Sequence, residues 1–303
     1  MTETGFPGPR GAATGAGLDE DLPFDRALRR LRRDRAAAAA PDGRALLRRT
    51  ADELVERLDL VRRDFKRALD LGCGDLYLTG RLRERGIEVV PADPGALFAE
   101  RAGGIQCDED RLPFAAGEFD LVVSVGVLDT VNDLPGALIL TRRALRPDGL
   151  FLGAFLGAGS LPRLRAAMLV ADEVQGAPAS PRIHPQIDVR TAGDLLGRAG
   201  FALPVADGEA LTVRYASFAG LVSDLRAMAG TNMLRARSTR PIGRVGLAAA
   251  TAAFEAGADP DGKVSERFEI VHLIGWAPGP DQPQPARRGS GAASLAAALG
   301  RRD

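Results

Sequence analysis

An alternation of strand-like and helix-like segments between Lys66 and Leu156 constrains the fold more than any other feature of the sequence. Two of the strand-like segments, FDLVVSVGVL and GLFLGAFLG, are apolar along nearly their whole length. Strands with this pattern are buried on both faces, as in a parallel sheet covered by helices. Because crossovers between parallel strands are right-handed, the alternation predicts a doubly wound α/β fold.

The apolar periodicity of each segment places the elements of this fold. A helix over 44–63 is predicted to pack on the sheet. Strands are predicted at 67–72, 87–92, 104–107, 119–127, 149–156 and 268–278. Helices are predicted at 77–85, 95–102, 134–145, 161–174, 191–199, 217–229 and 242–256.

Composition along the chain predicts four regions. The α/β domain is flanked by segments rich in Gly, Pro and charged residues, which we expect to be disordered or flexible. The predicted regions are a disordered arm at 1–21, N-terminal helices at 22–64, the α/β domain at 65–278 and a flexible tail at 279–303. Helical segments at about 158–200 and 217–256 are expected to cover the ligand site and select the acceptor.

An arginine-dense segment, PFDRALRRLRRDRAAAAA at 23–40, predicts the first helix. It has two interpretations. The arginines either grip a partner or an acidic surface, or they form a solvated helix face while Leu28 and Leu31 pack inward. The solvated face is the commoner role of such a charge run, and we take it as the expected one.

Charge and cysteine usage exclude several classes of protein. The 40 basic and 40 acidic residues give a net charge of zero, which argues against binding to nucleic acid or to an anionic membrane. Cys73 and Cys107 lack a CxxC partner or a nearby histidine, so neither a disulfide framework nor a metal site is predicted. No apolar run approaches the roughly 18 residues of a membrane helix. We expect a soluble cytoplasmic protein, or one held at the inner face of a membrane through a partner.

The stretch RALDLGCGDLYLTGRL at 67–82 runs from a strand through two glycines into a helix. Such a junction is a common way to hold a nucleotide-like ligand. A dinucleotide fingerprint would require glycine at position 77, where this chain has Tyr77. The sequence therefore argues against a nicotinamide cofactor.

The glycine loop resembles motif I of the class I S-adenosylmethionine-dependent methyltransferases. CDEDRLPF at 107–114 and RALRPDGLFL at 143–152 are similar to further stretches of that superfamily. The resemblance implies a Rossmann-like, mostly parallel sheet of seven strands. It also implies that S-adenosylmethionine is the cofactor.

The same resemblance implies the residues that hold the cofactor. Asp93, about twenty residues after the loop, would accept hydrogen bonds from both ribose hydroxyls. Asp108 would accept from the adenine amino group, and Ser124 would lie under the ligand. The full implied set is Asp70, Gly72, Gly74, Asp93, Asp108 and Ser124.

Each of the three aspartates also has a structural interpretation. Asp70 could cap the N–H groups of the loop, Asp93 could cap the helix that follows it, and Asp108 could simply be solvated. The superfamily usually has a third glycine where this chain has Leu76. A leucine at this position is expected to crowd the methionine end of the ligand or to reshape the loop.

Segments outside the methyltransferase motifs resemble a narrower family. PFDRALRR at 23–30, VNDLPGAL at 131–138, DLLGRAGF at 194–201 and VHLIGWAP at 271–278 are similar to the mitochondrial complex I assembly factor that hydroxylates an arginine of an iron–sulfur subunit, and to its bacterial relatives. This resemblance implies action on a protein arginine during assembly of respiratory complex I. The implied partner is a respiratory iron–sulfur subunit.

One departure from that family falls at the end of the fourth strand. The family has His-Trp where this chain has Asp129-Thr130, at the edge where open α/β sheets bind their ligands. Asp129 is the one candidate catalytic residue, as a general base or as the bidentate partner of a guanidinium. It could equally cap the helix that starts near Asn132, and the cap is the favoured interpretation.

Three functions remain open at this stage. The first is an S-adenosylmethionine-dependent enzyme that modifies a protein side chain. The second is a methyltransferase acting on a small molecule or on an acyl carrier protein, as in early biotin synthesis. The third is a non-catalytic assembly chaperone that retains the fold. Hydroxylation would require an oxygen-activating centre, and the two histidines, loop-borne His184 and strand-borne His272, do not predict one.

Overall fold

Seven strands form one sheet in the computed structural model, which describes residues 22–39, 41–280 and 282. The strands are β1 Arg67–Leu71, β2 Glu88–Asp93, β3 Ile105–Gln106, β4 Phe119–Val125, β5 Leu145–Leu156, β6 Ala202–Tyr215 and β7 Val264–Trp276. Their order across the sheet is β3-β2-β1-β4-β5-β7-β6. Strands β1 to β5 pair in parallel, whereas β7 lies antiparallel between β5 and β6. The predicted doubly wound, mostly parallel fold is confirmed.

The helices follow the predicted segments closely. They are α1 Arg26–Ala38, α2 Ala45–Asp59, α3 Tyr77–Arg83, α4 Ala96–Ala102, α5 Leu134–Ala144, α6 Pro162–Val174, α7 Val189–Arg198, α8 Phe218–Ala227 and α9 Arg244–Glu255. Side-chain caps explain where several of them begin. Asp133 caps α5, Asp188 caps α7 and Ser217 caps α8, each by accepting from a backbone N–H three residues ahead.

Within the described part of the chain, no helix combines the length and the apolar character needed to span a bilayer.

The central strands are buried on both faces, which explains their continuous apolar runs. Leu69 and Val122 enter one core, which α5 and α7 cover. Their neighbours Ala68, Leu121 and Val123 enter a second core beneath α2 and α3. The glycine loop and the ends of the parallel strands are thereby fixed between two packed layers.

A third core joins α6, α8 and α9 around Phe218, Phe254 and Phe268. This helical layer corresponds to part of the expected cover. Helix α7, which was expected in the same cover, instead packs on the sheet through Ala192 and Leu196. The predicted disordered arm at 1–21 lies outside the described residues, as does the tail from 283 onward.

Strand β6 was not predicted. It pairs only with β7 and forms the edge of the sheet, so most of its side chains are partly or fully exposed. An edge strand of this kind carries acidic and basic residues and lacks the continuous apolar run of a buried strand. The periodicity that revealed β4 and β5 is therefore absent from β6.

Candidate functional site

The glycine loop connects β1 to α3 at the carboxyl edge of the sheet. Gly72 and Gly74 both have positive φ angles, 87° and 52°. A Cβ on Gly72 would lie 2.5 Å from a methyl carbon of Val127, so this position tolerates no side chain. A Cβ on Gly74 would meet nothing closer than 3.8 Å. Gly72 therefore serves packing, and Gly74 opens towards the cavity in front of the loop.

Leu76 does not plug that cavity. Its φ angle of 65° places it in the left-handed region, directly before α3. Its side chain lines an adjoining depression that shares Arg44, Gly74, Asp75 and Phe98 with the cavity in front of the loop, and it does not line that cavity itself. The effect of this leucine on a ligand stays a prediction.

Asp93 lies at the end of β2, fully buried, beside the glycine loop. Its carboxylate accepts from the backbone N–H of Gly74 at 3.1 Å and of Gly95 at 2.7 Å. Arg33 of α1 donates to both of its oxygens, with Nε 2.6 Å from Oδ1. The guanidinium of Arg33 also stacks over the ring of Phe98, 5.3 Å from its centroid. The carboxylate that the resemblance assigns to the ribose is thus held by an arginine of the chain itself.

Further arginines of α1 reach the acidic residues that follow β3. Arg29 forms a bidentate pair with Glu109, at 2.7 and 2.9 Å. Arg30 donates to Asp108 at 2.6 Å. The other oxygen of Asp108, Oδ1, is buried and has no hydrogen-bond partner among the described residues. The same helix therefore holds both carboxylates implied for the adenosine, those of Asp93 and Asp108.

The expectation of a solvated arginine face on α1 is wrong. Arg29 and Arg33 are buried, whereas Leu31 is 45% exposed. Leu28 packs only partly, against Phe24 and its neighbours. Helix α1 turns arginines rather than leucines inward because acidic residues lie at the ends of β2 and β3. Bidentate arginine–carboxylate pairs satisfy the buried charges on both sides. The acidic surface considered in the alternative interpretation belongs to the chain itself.

Asp70 and Ser124 are buried as well, and each forms a hydrogen bond with a residue outside α1. Asp70 lines the cavity at the loop and accepts from the hydroxyl of Thr79 at 2.6 Å. Its burial raises its pKa to about 7. Ser124 is buried and donates to the carbonyl of Leu71 at 2.8 Å, and it lines none of the three cavities described next. The cofactor roles of both residues stay predictions.

Three adjoining cavities run from the glycine loop to the helical layer. The glycine-loop cavity, of about 500 Å³ including the solvent space at its mouth, includes Asp70, Gly72 and Gly74 in its lining. The junction cavity, of about 600 Å³ measured in the same way, shares with it Arg33, Leu47, Val125 and Met228. The outer cavity, of about 1330 Å³ including its open mouth, shares with the junction cavity Asp129, Leu156, Leu225 and Gly230. A ligand at the loop and a second molecule in the outer cavity would meet at the junction.

Asp129 lies where the junction cavity meets the outer cavity. It belongs to a short 3-10 turn, Leu128–Thr130, after β4. The favoured interpretation as the cap of α5 is wrong, because Asp133 caps that helix. The Oδ1 atom of Asp129 is inaccessible to solvent and has no hydrogen-bond partner among the described residues. Burial raises the pKa of Asp129 to about 6, although the nearby charge of Arg29 opposes the shift.

The outer cavity contains cations that sequence reasoning missed. Arg32 and Arg226 both line it, and within the described part of the chain no carboxylate forms an ion pair with either. Arg32 donates to the hydroxyl of Thr231. Burial lowers the pKa of Arg32, and the charges of Arg237 and Arg226 lower it further. The cavity wall therefore carries positive charge that the described residues do not neutralise.

His184 lines the same cavity as a neutral imidazole. Its Nε2 accepts from the backbone N–H of Met233 at 3.1 Å, and its ring meets that of Phe24 edge-on. Burial lowers its pKa to about 4, and the charge of Arg32 acts in the same direction. The loop position predicted for His184 holds, but its ring is buried and supports the cavity wall.

Comparison with known proteins gives the same superfamily. Residues 69–153 match the family described as Methyltransferase domain. The protein named Arginine-hydroxylase NDUFAF5, mitochondrial, from Danio rerio is 33% identical, and the match covers 90% of this chain and 88% of that protein. The human protein of the same name is also 33% identical, over 95% of this chain and 85% of its own. A Malonyl-[acyl-carrier protein] O-methyltransferase from Laribacter hongkongensis is 31% identical, over 81% of this chain and 87% of its own.

Among solved structures, the YcgJ protein of Bacillus subtilis superposes with a TM-score of 0.53 at 14% identity. The match covers 75% of this chain and 98% of that one. This likeness supports the fold, while the relatives above 30% identity support the family. The chain belongs to the S-adenosylmethionine-dependent methyltransferase superfamily, within the family that includes the arginine-hydroxylase NDUFAF5 proteins and the malonyl-[acyl-carrier protein] O-methyltransferases.

Proposed function

We propose that this chain binds S-adenosylmethionine and modifies a protein side chain, an arginine of a respiratory complex I subunit, during assembly of that complex. The observation that carries the proposal is the buried, unpartnered Oδ1 of Asp129 between the junction cavity and the outer cavity. A carboxylate in this position can accept two hydrogen bonds from a guanidinium. The name of the NDUFAF5 relatives supports an arginine as the acceptor.

The residues present fit the cofactor. Asp93 would hold the ribose hydroxyls, Asp108 would hold the adenine amino group, and the open face of Gly74 would allow close approach of the ligand to the loop. When bound, S-adenosylmethionine supplies an activated methyl group. The chain's own contribution would be to align the acceptor and to exclude water, which requires no dedicated catalytic residue for methyl transfer.

Cofactor binding in this site requires α1 to yield. Arg33 holds both oxygens of Asp93, and Arg30 holds one oxygen of Asp108. Ribose hydroxyls can reach Asp93 only if the guanidinium of Arg33 withdraws. Because Arg30 and Arg33 lie about one turn apart on the same helix, a single displacement of α1 would release both carboxylates. We therefore treat α1 as a lid over the adenosine end of the site.

An acceptor arginine would enter through the outer cavity and meet Asp129. Burial raises the pKa of Asp129 to about 6, within the range of a general base, and the ionised carboxylate can pair with the guanidinium. The same group can accept a proton from the acceptor nitrogen as substitution proceeds. Asp129 would then orient the acceptor and act as the base.

One observation favours a second function, the methylation of a carboxylate on a small molecule or an acyl carrier protein. Arg32 and Arg226 give the outer cavity two cations without carboxylate partners among the described residues. Such cations attract an anionic acceptor and repel a guanidinium. A carboxylate is already deprotonated at neutral pH, so it would need alignment but no base. The O-methyltransferase relatives support this alternative.

Intact-mass measurement separates the two functions. The full chain would be incubated with S-adenosylmethionine and either a complex I iron–sulfur subunit or a malonyl-acyl carrier protein. A gain of one methyl group on an arginine supports the first function, provided that Asp129→Asn removes it. Asp133→Asn is the matched control, because asparagine also caps a helix and activity should persist.

A methyl group on the acyl carrier protein supports the second function. If calorimetry shows that S-adenosylmethionine binds and yet neither acceptor gains mass, both proposed acceptors are wrong. If no binding is detected, even after Arg33 is replaced, the proposed cofactor site is wrong.

A further inference from the structure

A buried histidine lies on the α2 side of the sheet, outside the three cavities. His272 of β7 pairs with Asp207 of β6 and Ala154 of β5 in the sheet register, and its side chain is fully buried. Neither ring nitrogen has a hydrogen-bond partner among the described residues. Its Nε2 lies 3.9 Å from Oε1 of Glu53. Buried imidazoles normally use at least one nitrogen in a hydrogen bond, so the absence of a partner for this ring calls for an explanation.

Two carboxylates face the ring. Glu53 comes from α2 and Glu209 from β6, and one donor atom of each of the three residues lies within 4.8 Å of the others. Burial raises the pKa of Glu53, and the adjoining carboxylate of Glu209 raises it further. Arg49 pairs with both carboxylates, with Glu209 at 2.6 Å and Glu53 at 3.5 Å, so a metal ion at the ring would take over the charge compensation that this arginine now provides.

We propose that Glu53, Glu209 and His272 form a binding site for a divalent transition-metal ion, with Zn²⁺ as the ion that best fits the donors. One imidazole nitrogen and two carboxylate oxygens suit zinc, which would complete its tetrahedral shell with a water molecule. The three ligands come from three different elements of the fold. The proposal is independent of the cofactor and the acceptor discussed above.

The neighbouring arginines decide whether a cation can enter. Arg57 is held by Asp207 at 2.6 and 2.8 Å and touches Glu53 only at 3.4 Å, so it can stay in place. Arg49 holds both oxygens of Glu209, at 3.0 and 2.6 Å, but its side chain is 51% exposed. A bound ion would therefore displace one flexible arginine into solvent. This competition predicts that loss of the Arg49 guanidinium strengthens metal binding.

The proposed ion would join α2 to the antiparallel edge of the sheet. Thr50, three residues before Glu53 on α2, lines the junction cavity. Ile270, two residues before His272 on β7, lines it as well. A metal bridge behind this wall would brace the cavity without touching the ligands inside it. The site should be measurable as an affinity for the metal ion and as a gain in thermal stability when the ion binds.

The test uses the full chain, stripped of metal with a chelator and titrated with zinc chloride by calorimetry near neutral pH. We expect one ion per chain and a rise in melting temperature on binding. Glu53→Gln and Glu209→Gln should each weaken binding at least about tenfold. Arg49→Gln should tighten it. The matched control is Asp52→Asn, which removes a carboxylate of the same helix that bonds Tyr77 and Arg81 and lies outside the cluster.

The glutamate variants avoid changing the buried ring, so folding should be preserved and can be checked by circular dichroism. The proposal is overturned if the metal-free chain binds no zinc. It is equally overturned if Glu53→Gln binds zinc as tightly as Asp52→Asn, because the ion would then sit elsewhere, for example on a cysteine thiol.

Discussion

The guanidinium of Arg33 pairs with the carboxylate of Asp93, with Nε 2.6 Å from Oδ1. The pair joins the first helix of the described chain to the end of β2, and Arg33 also lines the glycine-loop cavity. If Asp93 also binds the ribose, as proposed, the position of α1 and occupancy by the cofactor are mutually exclusive. The first two predictions test this exclusion.

Arg33→Gln should make the ligand-free protein less stable and should make S-adenosylmethionine bind more tightly. Removing one partner of a buried ion pair costs about 3 kcal/mol, because Asp93 remains charged in the interior. Ribose hydroxyls would then meet a carboxylate with no competing arginine. We therefore expect S-adenosylmethionine to bind about tenfold more tightly, which corresponds to a binding free energy about 1.4 kcal/mol more favourable. Urea denaturation and calorimetry with S-adenosylmethionine measure the two effects. The exposed Arg35→Gln on the same helix is the control, and weaker binding by Arg33→Gln would instead make Arg33 part of the cofactor site.

Asp93→Asn should abolish detectable cofactor binding. Its effect on the free energy of unfolding should be coupled to the effect of Arg33→Gln. Each single variant leaves a buried group without its charge partner, whereas the double variant removes the whole ion pair. We expect the double variant to be more stable than the sum of the single effects by about 2 kcal/mol. A double-mutant cycle in urea measures the coupling. Strict additivity would mean that the two side chains do not interact in solution.

Asp70→Asn should change how stability depends on pH. Burial raises the pKa of Asp70 to about 7 in the folded state, while an aspartate in an unfolded chain titrates near 4. Between these values the folded state binds more protons, so the contribution of Asp70 to stability is lost as pH rises from about 4 to 7. Relative to wild type, Asp70→Asn should gain up to about 4 kcal/mol over this window. Denaturation curves at several pH values check the gain, and a constant difference would contradict the raised pKa.

Arg32→Gln should distinguish the two candidate acceptors by the direction of its effect on KM. If the acceptor is a carboxylate, loss of this cation should raise KM about tenfold, because a charge-assisted contact disappears. If the acceptor is an arginine, the same change removes a repulsive charge and KM should fall. Cofactor affinity should remain unchanged in both cases, since Arg32 does not line the glycine-loop cavity. An unchanged KM for both acceptors would place the acceptor outside the outer cavity.

Leu76→Gly should be more stable than Leu76→Ala by about 1 kcal/mol. The φ angle of 65° at this position is costly for any residue with a Cβ, and only glycine removes the strain. Both variants lose the same leucine contacts, so their difference isolates the backbone term. Thermal and urea denaturation measure it. Equal stabilities would show that the left-handed conformation is not strained here.

The core of this fold could be predicted because its strands are buried on both faces. Continuous apolar runs identified β4 and β5, and strand–glycine–helix chemistry located the loop at Gly72 and Gly74. Strand β6 escaped prediction since an edge strand with one partner needs no such run. The orientation of α1 was also mispredicted, because hydrophobic periodicity assigns leucines inward and cannot register acidic residues that lie far away in sequence.

The residues of the two proposed sites differ in how far the sequence could predict them. Asp93 and Asp108 follow strands, so their positions at the carboxyl edge could be inferred from spacing. Arg33 could have been suspected from the arginines at 26, 29, 30 and 33, which share one helical face. By contrast, Glu53 and Glu209 approach His272 from a helix and an edge strand, so no local pattern in the sequence could predict that these residues lie close together.

The strand order has a consequence for synthesis of the chain. Strand β7 is the last strand of the described chain, yet it lies between β5 and β6 and is the sole sheet partner of β6. Until residues 264–276 leave the ribosome, the edge of β5 is open and β6 has nothing to pair with. The nascent polypeptide therefore carries two unpaired edges from the synthesis of Tyr215 until that of β7, and a fragment that stops before Val264 is expected to aggregate.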